Sequence, residues 1–183
     1  TGDAGSGGGG SFGSLGTDGQ NQGQHSGGQA GITVGDNTLS KLILGGAGGE
    51  GGADEDGARP GKGGNGGGII YIVSQEIMGN GSITSNGEDG SEGQQNIPGI
   101  GGTGSGTGGG GAGSGGSIVL KGNNIDLASS TISALGGSGG LGTHGQPGGS
   151  GGEGRIKVQS LNSSLASNPI SYNETSNISN EIN

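Results

Sequence analysis

The chain has 183 residues, of which 56 are glycine, 23% are hydrophobic and only 2% are aromatic; it has no cysteine and no tryptophan, and its net charge is −9. This composition excludes a disulfide framework and a thiolate metal site. The negative charge argues against nucleic acid or an anionic membrane surface as a partner. No apolar stretch reaches the roughly 20 residues of a membrane helix, so no membrane insertion is expected. Glycine at this density suggests collagen or disorder, yet a Gly-X-Y period is missing and there are only 4 prolines.

In chain order, the first element is a degenerate copy at residues 31–49, where Ile32 and Val34 alternate and Leu42 and Leu44 run into GGAGG. Residues 66–90 (GGGIIYIVSQEIMGNGSITSNGEDG) follow, and residues 115–139 (GGSIVLKGNNIDLASSTISALGGSG) align with them at an offset of about 48. Ile70 falls on Ile118, Ile72 on Leu120 and Ile77 on Ile125; after one extra residue, Ile83 falls on Ile132 and Gly87 on Gly136. A half copy closes the series at residues 152–158 (GGEGRIKV), with Ile156 and Val158 two apart.

Each copy carries two strand-like pieces with apolar residues at period two. Helical periodicity is absent, and glycine at this density opposes a helix. The expected β layer is made by Ile32, Val34, Leu42, Leu44, Ile70, Ile72, Ile77, Ile83, Ile118, Leu120, Ile125, Leu127, Ile132, Ile156 and Val158.

Between the copies, paired glycine runs flank short turns. Pro60, Pro98 and Pro147 each stand at the end of a turn, directly before the next run. Proline's fixed φ suits the start of an extended polyproline-II-type helix. Glycine helices of that type pack closely enough to hydrogen-bond sideways, so a helix with one open face should read Gly-Gly-X and one packed all round should read glycine throughout. Residues 45–52 (GGAGGEGG) and 61–67 (GKGGNGG) suit the first pattern, and residues 108–111 the second. The expected fold is therefore mainly β with a polyglycine-II helix bundle. Repetitive β-strand pairs alternate with antiparallel polyglycine-II hairpins, and α-helix is absent. Residues 1–159 form this repeat domain and residues 160–183 an Asn/Ser-rich tail.

The GGxGG runs alternating with such strands resemble glycine-rich extracellular repeat proteins of bacteria and archaea. The runs alone are similar to the polyglycine-II bundles of the snow flea antifreeze protein and of phage long-tail-fibre adhesins. The first of these implies disulfide staples, which this chain lacks. The second implies variable loops at one tip, a place only the turns could take. Together the resemblances imply a surface, structural or adhesive role.

Motifs for chemistry are weak. Gly-x-Ser-x-Gly occurs at residues 136–140 and 148–152 without the strand-to-helix turn of a nucleophile elbow. Lys62 lacks the following Ser or Thr of a P-loop. Asp54, Glu55 and Asp56, and likewise Glu88, Asp89 and Glu92, read as solvated turns, with weak Ca²⁺ binding as the alternative. His25 and His144 read as exposed turn histidines. No cofactor, metal or catalytic residue is assigned. Asn80, Asn162, Asn173 and Asn177 are candidate N-glycosylation acceptors.

Starting at Thr1 with no visible signal peptide, the chain reads as a processed form or part of a longer protein. The tail carries Leu161, Leu165, Ile170, Tyr172, Ile178 and Ile182, enough to add a strand to the sheet edge of a neighbouring subunit; the first five are the candidate assembly residues. The expectation is a non-enzymatic extracellular or cell-surface protein that self-associates into a fibre, filament or layer. The alternatives are a phage or cell-surface adhesin binding glycan through its turns, and an ice-binding protein.

Overall fold

The structure, a computed structural model, describes residues 4–36, 38–53, 58–94 and 106–165. Among them there is no helix. The strands are β1 (Ile69–Val73), β2 (Glu76–Met78), β3 (Ser82–Thr84), β4 (Ser117–Leu127), β5 (Thr131–Ser133) and β6 (Arg155–Leu165). Every pairing between them is parallel. On one side of β4 lie β1 and then β2, and on the other lies β6; β3 and β5 make a second, small sheet.

The residues that sequence comparison sets side by side are ladder neighbours: Ile70 with Ile118, Ile72 with Leu120, Ile77 with Ile125 and Ile83 with Ile132. The half copy joins in the same way, Ile156 beside Ile118 and Val158 beside Leu120. The two pieces of one copy do not pair with each other; each pairs with its counterpart in the next. Parallel partners need long crossovers, and here the connecting stretches are rich in glycine where other folds use helices.

One apolar core joins the two sheets. Ile77, Ile118, Leu120, Ile125, Leu127, Ile132, Ala134 and Ile156 are buried in it, with Ile70, Ile72, Ile83, Val158 and Leu165 packed against them. Each fully buried side chain contributes about 1.5–3 kcal/mol. Inward positions shift phase midway, from Ile118 and Leu120 to Ile125 and Leu127. The shift coincides with a bend where the β4–β6 register passes from Gly122 to Asn124 and where β1 gives way to β2. At that bend the Gln75 carbonyl accepts from the N–H groups of both Asn123 and Asn124, at 3.0 Å each.

The opposite face of β4 is covered by a second cluster of Phe12, Leu39 and Val119, with Ile43 against it. Arg155 is buried there. Its guanidinium lies 4.8 Å from the centre of the Phe12 ring and donates to the Val34 carbonyl at 2.7 Å.

Here one expectation fails. Ile32 and Leu44 are strongly exposed, and Val34 and Leu42 are not buried either; none of the four belongs to the β layer. Residues 31–36 and 38–44 form no strand, and Leu39 and Ile43 lie over the outer face of β4. Ser117 Oγ donates to the Ile43 carbonyl at 2.7 Å and accepts from its N–H at 3.3 Å. That anchor holds Ile43 against the second cluster, while Leu42 and Leu44 on either side of it stay exposed. The boundary drawn after Gln159 also falls inside an element, since β6 runs on to Leu165.

In the glycine-rich half, main chain bonds to main chain at a three-residue step. Gly108, Gly111 and Ser114 donate to the carbonyls of Gly52, Gly49 and Gly46; Gly110, Gly113 and Gly116 donate to Ser91, Glu88 and Ser85; Ala112 and Gly115 donate to Gly149 and Gly152. The carbonyls of the same segment accept from Gly61, Gly64 and Gly67, from Gly7 and Gly10, and from Gly137 and Gly140. Residues 106–116 are consequently buried throughout. A Cβ on Gly109 would lie 1.9 Å from the Gly140 carbonyl oxygen. The flanking segments 45–52, 61–67, 136–142 and 148–154 keep side chains at every third place only (Ala47 and Glu50, Lys62 and Asn65, Ser138 and Leu141, Ser150 and Glu153), whereas segment 85–93 carries them at two places in three.

Candidate functional site

The assembly residues expected in the tail separate. Leu161 is exposed on β6, Leu165 packs against the main core, and Ile170, Tyr172 and Ile178 lie outside the described residues. Residues 160–165 are thus not a free strand, because they already pair with β4. Of the glycosylation acceptors, Asn80 is exposed at the bend between β2 and β3. Asn162 is exposed on β6, its Nδ2 donating to Asn124 Oδ1 at 3.2 Å. Asn173 and Asn177 lie outside the described residues.

Of the carboxylates read as solvated turns, Glu88 and Asp89 are exposed and also bond across segments. Glu88 Oε2 accepts from Asn65 Nδ2 at 2.7 Å, and Asp89 Oδ1 accepts from the Ser138 N–H at 2.6 Å, so both bind an adjacent segment. Among the described residues no three His, Cys, Asp or Glu side chains converge as a metal-holding group. Asp54, Glu55 and Asp56 lie outside them. Asp36 sits in the loop ahead of the second cluster. Hydrogen bonds from the side chains of Ser40 and Thr38, then from the Ser40 backbone, hold its carboxyl far below the usual range. Burial pushes the Arg155 guanidinium down, opposed by the charge of Asp36.

The described turn residues meet at the end remote from the sheets. Arg59 and Gln94 form an antiparallel bridge, and Gln22 Nε2 lies 2.5 Å from His144 Nδ1, so His144 is exposed but tied to a second turn. A groove of about 420 Å³ between Arg59, Pro60, Lys62, Ser91, Glu92 and Gln94 lies at this end.

The other distinctive surface is β1, which the sequence reading took as a strand through Ile70 and Ile72 without marking its other face as a surface. Its run IIYIV is apolar on both faces, as in parallel strands buried on both sides. Yet Ile69, Tyr71 and Val73 are 42%, 58% and 57% exposed. Val119, the ladder neighbour of Tyr71, is only 4% exposed because Leu39 and Phe12 cover it. The uninterrupted apolar run was the available signal. Exposed Leu44 is adjacent, since the Gly45 N–H donates to Gly67, two residues before Ile69.

Among the described residues no strand lies beyond β1 and β2 on one side of the large sheet, or beyond β6 on the other. Ser117 donates to Gly68 and Ser74 to Lys121, so the alternation leaves the N–H and C=O groups of Ile69, Tyr71 and Val73 pointing away from β4. Arg155 donates to Gly116, which by the same alternation turns Ile156 and Val158 outward from β6. What this surface offers chemically is main-chain hydrogen bonding beside apolar side chains. The chain matches no protein-family model, no curated protein and no solved structure.

Proposed function

We propose that this chain is a non-enzymatic extracellular structural protein whose subunits self-associate into a fibre or surface layer, and that its glycine segments are polyglycine-II helices bundled beside the sheets. A helix of that type has three residues per turn and no internal hydrogen bonds. The three-residue step of the bonds from residues 108–116 favours this reading over irregular coil. So does the spacing of Lys62 and Asn65, or of Ser150 and Glu153, at open places among glycines that admit no Cβ.

The observation that carries self-association is the pair of outward edges on one parallel sheet. Unpaired edges are templates for another strand, and no charge or proline interrupts β1. Residues beyond Leu165, with Ile170, Tyr172 and Ile178, would extend the same contact. Negative-stain electron microscopy of the purified full chain tests the proposal: long polymers or sheets support it, and dispersed monomers at all concentrations overturn it.

A second reading, glycan binding by the clustered turns, is favoured by the polar groove at Arg59, Lys62, Ser91, Glu92 and Gln94. Binding to a glycan array, lost on Arg59→Ala, would select it.

A further inference from the structure

We infer that the edge of β6 pairs, parallel and in register, with the β1–β2 edge of a second copy of this chain, Ile156 lying beside the partner copy's Ile70. This rests on the self-association reading and specifies its contact. The first reason is that the ladder already runs through equivalent residues: Ile70 beside Ile118, and Ile118 beside Ile156. Another rung laid on β6 with that spacing would carry the residues of β1.

The second reason is hydrogen-bond phase. In a parallel pair a residue bonds to the two neighbours of its register partner. Ile156 points its main-chain groups outward from β6, and Ile69 and Tyr71 point theirs outward from β1. Register Ile156 to Ile70 therefore joins outward groups to outward groups, whereas a slip of one residue would direct them at groups already bonded to β4. The break between β1 and β2 would also meet its counterpart, because Asn162 shares the place of Glu76 through Asn124.

The third reason is unfinished burial. Ile118 and Leu120, with a strand on each side, are 0% exposed. Their equivalents Ile70 and Ile72 on the edge are only half-buried, as is Val158 on β6. A second copy would complete the cover of all three. The contact is heterologous, edge to opposite edge, so it propagates into a filament and does not close as a dimer.

The cysteine-free chain permits a clean test by disulfide trapping. In the inferred register Lys157 lies beside the partner copy's Tyr71. Within one copy these residues are separated by β4, about 9.6 Å, beyond the roughly 7 Å limit for a disulfide. Full-length Tyr71→Cys/Lys157→Cys should give a ladder of covalent oligomers on mild oxidation. The off-register pair Val73→Cys/Lys157→Cys should give at least about five-fold less. Circular dichroism and hydrogen exchange verify that each variant folds. If polymers are visible by microscopy but the two pairs cross-link equally, this edge contact is wrong and self-association stands. If neither polymers nor ladder form with the wild-type or folded variants, both are wrong.

Discussion

The glycine-rich half and the β half solve one problem in opposite ways. Around residues 106–116 main chains approach until a Cβ would strike a carbonyl at about 2 Å, as at Gly109 and Gly110. Order there depends on the absence of side chains. Around Ile118 and Leu120 it depends on their presence, since the sheet is held by buried aliphatic groups. The first half should therefore be intolerant of any gain in volume and the second intolerant of any loss. At their margins, where one neighbour is missing, both should become permissive.

The largest effect should come from filling the glycine half. Gly109→Val should cost at least about 3 kcal/mol, from overpacking and the main-chain bonds it breaks. Denaturant unfolding measures this, and a stability close to wild type would show that the segment does not pack as described. Native-state hydrogen exchange should likewise find the amides of residues 106–116 protected.

Emptying the β half comes next. Leu120→Ala should cost about 2–5 kcal/mol, and Ile72→Ala about half as much because its edge position is half-buried. If polymers form through that edge, Ile72→Ala should gain in cost under polymerising conditions, which a comparison of melting above and below the assembly concentration would reveal.

Marginal positions should be close to silent. Glu50→Val changes an exposed side chain, and Gly68→Ala adds a Cβ that meets nothing within 4 Å. Both should stay within about 1 kcal/mol of wild type. A large loss at Gly68 would break the comparison at its margin.

The smallest expected effect is local and acid-dependent. The Asp36 carboxyl titrates below its ordinary value of 3.8, so its support of the loop is complete above that value and lost as the pH falls through the depressed one. Amide protection at Thr38 and Ser40 should decline in strong acid. Asp36→Asn should remove the pH dependence and lower protection at neutral pH. The loop matters because Leu39, buried against Phe12 and Val119, is held at φ 51°, a strained value for leucine.

Much of this was legible in the chain. Alternation of Ile70 and Ile72, and of Ile118 and Leu120, specifies strands with one core face because side chains alternate at period two. Alignment of the copies named the residues that became ladder neighbours, since a parallel rung repeats its inward positions. The Gly-Gly-X spacing at residues 45–52 and 61–67 marked where side chains are admitted, because at most of the glycines, such as Gly48, Gly51, Gly63 and Gly66, a Cβ would strike a carbonyl.

The copy at residues 31–49 misled. Its Ile32, Val34, Leu42 and Leu44 alternate as a strand would, but alternation describes one chain and cannot say whether a neighbour is there to receive it. That decision was tertiary, as was the burial of Arg155 over Phe12, two residues 143 positions apart in sequence. So too was the contrast between Tyr71 and Val119, which are ladder neighbours with unlike exposure. Local sequence sets what a residue is able to pack against, through its volume, its branching and the period at which it recurs. Which face is covered and which edge is left open depends on where distant segments cross, and only the assembled chain decides that.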